Sequence, residues 1–262
     1  MNKVTRLKYY IESLCIYDFE DDDVFSALYD LLCDDEEDTV ALQSYFFKEL
    51  AKSESLKRHI SRLILTNDNI FTKAACAGKV NQLSIAVINA VKSDLAKLEE
   101  IASLTAQDIL ADIDDEDIKE ILLTLPGWEV GKPLAPLDSH WDRQLDELIK
   151  YHRENGYGIY AKNIAFTWRD EEITPVNSID PIRLTDLKNY ELQRNKVIDN
   201  TESFIAGHPA NNVLLYGDRG TGKSSTVHAI LNEYWQKGLR MIEIPKSAVA
   251  DLSLIREQIA DS

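Results

Sequence analysis

The stretch Asn212-Val213-Leu214-Leu215-Tyr216-Gly217-Asp218-Arg219-Gly220-Thr221-Gly222-Lys223-Ser224-Ser225 decides how the chain is read. Its second half has the form Gly-x-x-x-x-Gly-Lys-Ser, a P-loop (Walker A) that cradles nucleotide phosphates. Such a motif carries weight only between a strand and a helix. Val213 to Tyr216 is a short apolar run, predicted as the strand. Ser224 to Gln236 is predicted as the helix, with Val227, Ile230, Leu231 and Tyr234 at helical spacing and Gly238 as its stop.

The residue types suit the chemistry. Gly217, Gly220 and Gly222 permit backbone conformations that a Cβ would penalise. The N–H groups of the turn, those of Asp218, Arg219 and Thr221 included, can then face phosphate oxygens beside the N-terminus of the next helix. Lys223 would sit between the β- and γ-phosphates as a point charge. The Ser224 hydroxyl would ligate Mg²⁺, and Ser225 would donate to the α-phosphate. The competing reading is a glycine-rich turn that merely reverses the chain.

At 262 residues, 44% apolar and 28% charged, the chain has the composition of one or two globular domains. No apolar run is long enough to cross a membrane. Glu12 and Asp18 interrupt what would be the core of a signal peptide, so the expected address is the cytoplasm. Cys15, Cys33 and Cys76 form no CxxC, which points to buried free thiols rather than zinc or disulfides. The five histidines show no metal-ligand spacing, and His228 is expected on a helix surface. Residues 1–150 carry 16 Lys/Arg against 30 Asp/Glu, and residues 151–262 carry 13 against 15. An acidic chain without a basic stripe is a poor nucleic-acid binder, because affinity for DNA rests on cationic phosphate contacts.

Residues 1–155 read as an acidic, all-α N-terminal domain. Val24, Leu28, Leu31 and Leu32 share one helical face. Leu42, Phe46, Leu50, Leu56, Ile60 and Leu63 continue the pattern from Thr39 to Leu65. Ile70 to Ala77 is helical, with Gly78 at its end. Val87, Val91, Leu95 and Leu98 mark another helix in Leu83 to Ala102, followed by Thr105 to Leu123. Trp141, Leu145, Leu148 and Ile149 point inward from Asp138 to Arg153. The acidic groups Glu20 to Asp23, Asp34 to Asp38 and Asp114 to Asp117 read as solvated turns favouring helix N-termini, or else as cation or partner sites; none has EF-hand spacing.

The period then changes. Ile164, Phe166 and Trp168 alternate with Ala165 and Thr167 as in a strand, with Tyr160 and Lys162 in the same parity. Pro175 and Pro181 bound a loop, so 156–182 reads as strand and linker. Thr185 to Phe204 is predicted as a helix, Leu239 to Ile244 as a strand ended by Pro245, and Ser247 to Ile259 as a last helix.

The sets Ala165-Phe166-Thr167-Trp168, Leu184-Thr185-Asp186-Leu187, Pro209 to Gly217, Gly220 to Ser225 and Gly238 to Glu243 resemble an uncharacterised prokaryotic family of AAA+ ATP-binding proteins, catalogued as a domain of unknown function. The resemblance covers roughly residues 158–262. It implies an α/β P-loop NTPase (AAA+-like) core with parallel strands, here partial, spanning 183–262 behind the helical domain. It implies ATP and Mg²⁺ as ligands, ATPase activity in a full-length form, and assembly into homo-oligomers. It also implies that Leu184, Leu187 and Tyr190 line the adenine pocket; core packing at helical spacing is the equal alternative.

An AAA+ ATPase also needs an acidic Walker B strand, a sensor and an arginine finger downstream. No apolar run ending in Asp-Glu follows the P-loop, and Leu14-Cys15-Ile16-Tyr17-Asp18 lies on the wrong side of it. The chain is therefore expected to be the front portion of a longer protein. No residue is assigned as catalytic. Three functions compete: an ATP-driven machine remodelling a protein partner, a nucleotide-binding switch whose helical domain recruits a partner, and an interaction module with a vestigial loop.

Overall fold

A computed structural model of the protein describes residues 1–34, 38–53, 55–176 and 178–259; residues 35–37 of the acidic run Asp34 to Asp38 lie outside them. The chain divides after Gly158 into two compact units. Unit 1 is helical: α1 (Lys3–Glu12), α2 (Asp23–Cys33), α3 (Thr39–Leu50), α4 (Leu56–Leu65), α5 (Ile70–Cys76), α6 (Ile85–Ile101), α7 (Ala106–Leu110), α8 (Glu116–Leu122) and α9 (Leu145–Asn155), with the short α10 (Gly158–Lys162) at the boundary.

The apolar periodicity predicts this packing. Val24, Leu28, Leu31 and Leu32 of α2 are buried, as are Phe46, Leu50, Leu56 and Ile60 of α3 and α4. Val91, Leu95 and Leu98 put one face of α6 into the same core. Burying each such side chain contributes about 1.5–3 kcal/mol. The predicted helix from Thr39 to Leu65 is two helices, because the chain turns after Leu50 and restarts at Leu56. Trp141 belongs to a 3-10 turn (Trp141–Arg143), not to α9. The acidic clusters act at helix starts: Asp22 accepts from the Phe25 amide at 2.9 Å, and Asp115 from the Asp117 amide at 2.8 Å.

The expectation of buried thiols is corrected: Cys15 is exposed, and Cys33 and Cys76 are half-buried. Cys15 lies on an irregular segment whose backbone is pinned inward, which turns its side chain outward. The pin is Asp94 of α6, fully buried, whose Oδ2 accepts from the amides of Cys15 at 2.9 Å, Ile16 at 2.7 Å and Tyr17 at 3.3 Å.

His152 gives unit 1 a pH-dependent weak point. Its ring is fully buried, Nδ1 lies 3.0 Å from the Gly156 carbonyl, and Nε2 has no partner. Burial lowers its pKa from the usual 6.5, and the Gly156 carbonyl offsets only part of this. The unfolded chain therefore takes up the proton first. Stability is complete above about pH 6.5 and falls as pH drops toward the folded-state value. Asp22 adds a loss at lower pH. Burial pulls its carboxyl up, but hydrogen bonds from His59 and the Phe25 amide outweigh this and hold it below the usual value. Thermal melts should show lower stability at pH 5 than at pH 7. His152→Gln should narrow that difference; an unchanged difference would place the acid sensitivity elsewhere.

Unit 2 contains β1 (Ala165–Arg169), β2 (Glu172–Pro175), α11 (Glu191–Ile205), α12 (Lys223–Tyr234), β3 (Met241–Glu243) and α13 (Leu252–Ile259). Its sheet has the order β2-β1-β3. β1 pairs antiparallel with β2, Trp168 opposite Ile173, and parallel with β3, Phe166 opposite Ile242. The sheet is thus mixed, with one parallel and one antiparallel pair. The alternation read at 164–168 places Phe166 and Trp168 in a core with Ile173 and Ile255. Trp168 Nε1 donates to Asp251 at 3.0 Å, fixing the turn before α13 on the sheet. The strands within the segment 156–182 pair with each other and with β3 inside unit 2.

The strand predicted at Val213 to Tyr216 is not formed. These residues are irregular, with Val213, Leu214 and Tyr216 exposed. A strand needs a neighbour for its N–H and C=O groups, and no strand among the described residues lies beside this run. Instead Asn200 of α11 brackets Asn211 just upstream, accepting from its amide and donating to its carbonyl, both at 2.8 Å. Among the described residues no helix is long and apolar enough to cross a membrane.

Candidate functional site

The loop Gly217–Gly222 leads directly into α12, whose first residues are Lys223, Ser224 and Ser225. All three glycines have positive φ, which side chains disfavour: 138° at Gly217, 85° at Gly220 and 78° at Gly222. At Gly220 and Gly222 an added Cβ would meet nothing within 4 Å. Glycine is required there by the backbone torsion and not by space. Gly222 is the residue preceding α12, so its torsion sets the direction in which the helix leaves the loop.

The Lys223 ammonium folds back over the loop. It donates to the carbonyls of Gly217 at 3.0 Å and Asp218 at 2.6 Å, and lies 3.2 Å from Thr221 Oγ1. Thr221 Oγ1 donates in turn to the Asp218 carbonyl at 2.9 Å. A cation is therefore held inside the bend by neutral oxygens, with no carboxylate neutralising it among the described contacts. Such a cation at the start of a helix, where unpaired N–H groups also gather, attracts an anion. Ser224 is exposed at the second helical position and Ser225 is half-buried at the third. Arg219 and Asp218 are exposed on the loop.

The far end of α12 is anchored. Ala229, Ile230, Leu231 and Tyr234 are buried, while Val227, placed on the same face by its spacing, is exposed. Tyr234 donates to Glu202 of α11 at 2.8 Å, and burial, then this hydrogen bond, pushes its phenol up to about 12. Asn232 donates to the carbonyls of Asp180 at 2.8 Å and Ile182 at 2.9 Å, and its own carbonyl accepts from Arg183 at 3.2 Å. Sequence reasoning did not single out Asn232 or Arg183. His228, expected at the helix surface, is half-buried, with an unpartnered Nδ1.

These contacts bring the turn that carries Leu184, the first of the three adenine-pocket candidates, onto α12. Leu184 is half-buried in a 3-10 turn (Leu184–Asp186) packed on α12. Leu187 follows it, half-buried, its carbonyl accepting from Arg194 at 2.7 Å. Tyr190 is 57% exposed, in a left-handed conformation just before α11. The helix predicted from Thr185 therefore starts only at Glu191. Asn189 and Tyr190 both have positive φ, which a continuous helix forbids.

Residues 161–262 match a family model described as "Protein of unknown function (DUF815)". The match covers the sheet, the loop and α12, and leaves the helical unit outside it. No curated protein and no solved structure matches the chain. Among the described residues, Glu99, His140 and Asp142 bring three potential metal-ligand atoms within 4.8 Å of one another. That group, which the sequence spacing did not disclose, lies in unit 1. Both oxygens of Glu99 are engaged by the amides of His140 at 2.9 Å and Trp141 at 3.0 Å, which makes it a clamp on the 3-10 turn.

Proposed function

We propose that this chain binds ATP with Mg²⁺ through Gly217–Ser225, as an AAA+-type nucleotide-binding protein of the cytoplasm. One observation carries the reading: three glycines of positive φ fold the loop onto the start of α12, with Lys223 held inside the bend. The phosphates would replace the carbonyls now holding Lys223. The amides of 218–222 would supply hydrogen bonds, Ser224 would hold Mg²⁺, and Ser225 would reach the α-phosphate. Leu184, in the turn packed on α12, would contact the base, with Leu187 and Tyr190 following it in the chain.

As an ATPase, the protein would couple binding and hydrolysis to remodelling of a protein partner recruited by the helical unit, within a homo-oligomer. For residues 1–262 alone, the favoured reading is a nucleotide-binding switch. Turnover needs a carboxylate to hold Mg²⁺ and orient the attacking water, and no apolar run ending in Asp-Glu follows the loop. Calorimetry with ATP and Mg²⁺ should register binding, and a phosphate-release assay should stay at background. Absence of binding would end the nucleotide reading. Steady release, lost in Lys223→Ala, would show that these residues contain a complete catalytic site.

A further inference from the structure

The segment from Asp180 to Leu187 carries base-side candidates, yet little apolar burial holds it. The 3-10 turn Leu184–Asp186 contains no buried residue, and Ile182, Leu184 and Leu187 are only half-buried. Its shape is set locally. Asp180 Oδ1 accepts from the Ile182 amide at 3.3 Å, and Asp186 Oδ2 accepts from the Arg183 amide at 2.8 Å. Its attachment to α12 rests chiefly on polar groups. The Asn232 side-chain amide donates one hydrogen to the Asp180 carbonyl at 2.8 Å and the other to the Ile182 carbonyl at 2.9 Å. The Arg183 guanidinium returns across the same joint and donates to the Asn232 backbone carbonyl at 3.2 Å.

This clasp is tied to the phosphate loop through one rigid element. Asn232 and Lys223 share α12, and a rise of 1.5 Å per residue puts them about 14 Å apart along its axis. Leu184 follows Ile182 by two residues, at most about 7 Å of backbone. Fixing Ile182 to Asn232 therefore fixes the distance from Leu184 to the loop. The two ends are chemically separate, because the ammonium of Lys223 contacts only its own loop.

We infer, on the basis of the proposed nucleotide site, that Asn232 is a positioning residue for the base: with Arg183 it holds the Leu184 turn against α12 before the ligand arrives. A turn ordered in advance spares the ligand the cost of ordering it on binding. Affinity for the base then depends on the clasp, and affinity for the phosphates does not. The chemistry singles out asparagine. Two carbonyls face the side chain, and its amide supplies two donors on a short stem. Leucine, of similar size, supplies none.

Calorimetry of the full chain with Mg²⁺ compares ATP with inorganic tripolyphosphate, which has the phosphates and no base. Wild type is expected to bind ATP the more tightly. Asn232→Leu should weaken ATP binding about five- to tenfold and tripolyphosphate binding by less than about twofold. Asn232→Gln keeps both donors and should recover part of the loss. Arg183→Met, at an exposed side chain, should weaken ATP binding about two- to threefold with the same selectivity; should Asn232→Leu not fold, this variant carries the comparison. Equal losses for the two ligands would make Asn232 a general support of the fold, and unchanged ATP affinity would make the clasp idle. Either result overturns the inference while nucleotide binding stands. Equal affinity of wild type for the two ligands would also overturn it, since no base contact would exist to position. A wild-type chain that binds neither ligand would end the nucleotide reading itself.

Discussion

Lys223→Ala should abolish measurable ATP binding while leaving the fold in place. The three contacts of the ammonium are all with its own loop, so no other element depends on them. Alanine is the best helix former and Lys223 opens α12; the thermal transition should hardly move. Binding should suffer far more. A charge-assisted hydrogen bond contributes about 1.5–3 kcal/mol, and losing one or two to a triphosphate corresponds to roughly ten- to ten-thousandfold in affinity. Calorimetry of both proteins in ATP and Mg²⁺ decides the matter. Binding that survives within about threefold would mean the nucleotide sits elsewhere, and the loop would then be a turn stiffened by its own lysine. Lys223→Arg sharpens the comparison. It keeps the charge but presents a planar fork in place of a compact ammonium, so partial recovery would point to charge and full loss to shape.

The sequence foretells the helical unit well because its signal is local. Val91, Leu95 and Leu98 are spaced to bury one face of α6 whatever they pack against. The alternation at Phe166 and Trp168 works equally well for β1, since a strand buried on one face writes its register into the chain. What remains hidden depends on distant partners. Val213 to Tyr216 has the composition of a strand, yet a strand exists only when a neighbour pairs with it. Leu184, Leu187 and Tyr190 show helical spacing, but the left-handed torsions at Asn189 and Tyr190 keep the three out of one continuous helix. Asp94 is opaque for a similar reason. On the helical pattern it is one more acid in an acidic domain, and only the fold brings the amides of Cys15 to Tyr17 to it from 77 to 79 positions away.

That buried carboxylate supports the other large expected effect. Asp94→Ala should lower the stability of unit 1 by about 3–5 kcal/mol, roughly 10 °C in melting temperature for a unit of this size. The side chain is fully buried, so water cannot readily replace it. Its removal leaves three amide donors without an acceptor, and Lys97, whose ammonium lies 3.7 Å from Oδ1, without its counter-charge. Asp94→Asn should cost less, because the amide oxygen can still accept from the segment while the charge is lost. Alanine cannot accept at all, so the order wild type, Asn, Ala is the signature of a hydrogen-bonding anchor. A loss under about 1 kcal/mol in Asp94→Ala would show that apolar contacts of Ile16 and Tyr17 hold the segment unaided. Ile16→Ala, not Asp94→Ala, would then be the substitution that frees the segment from the core.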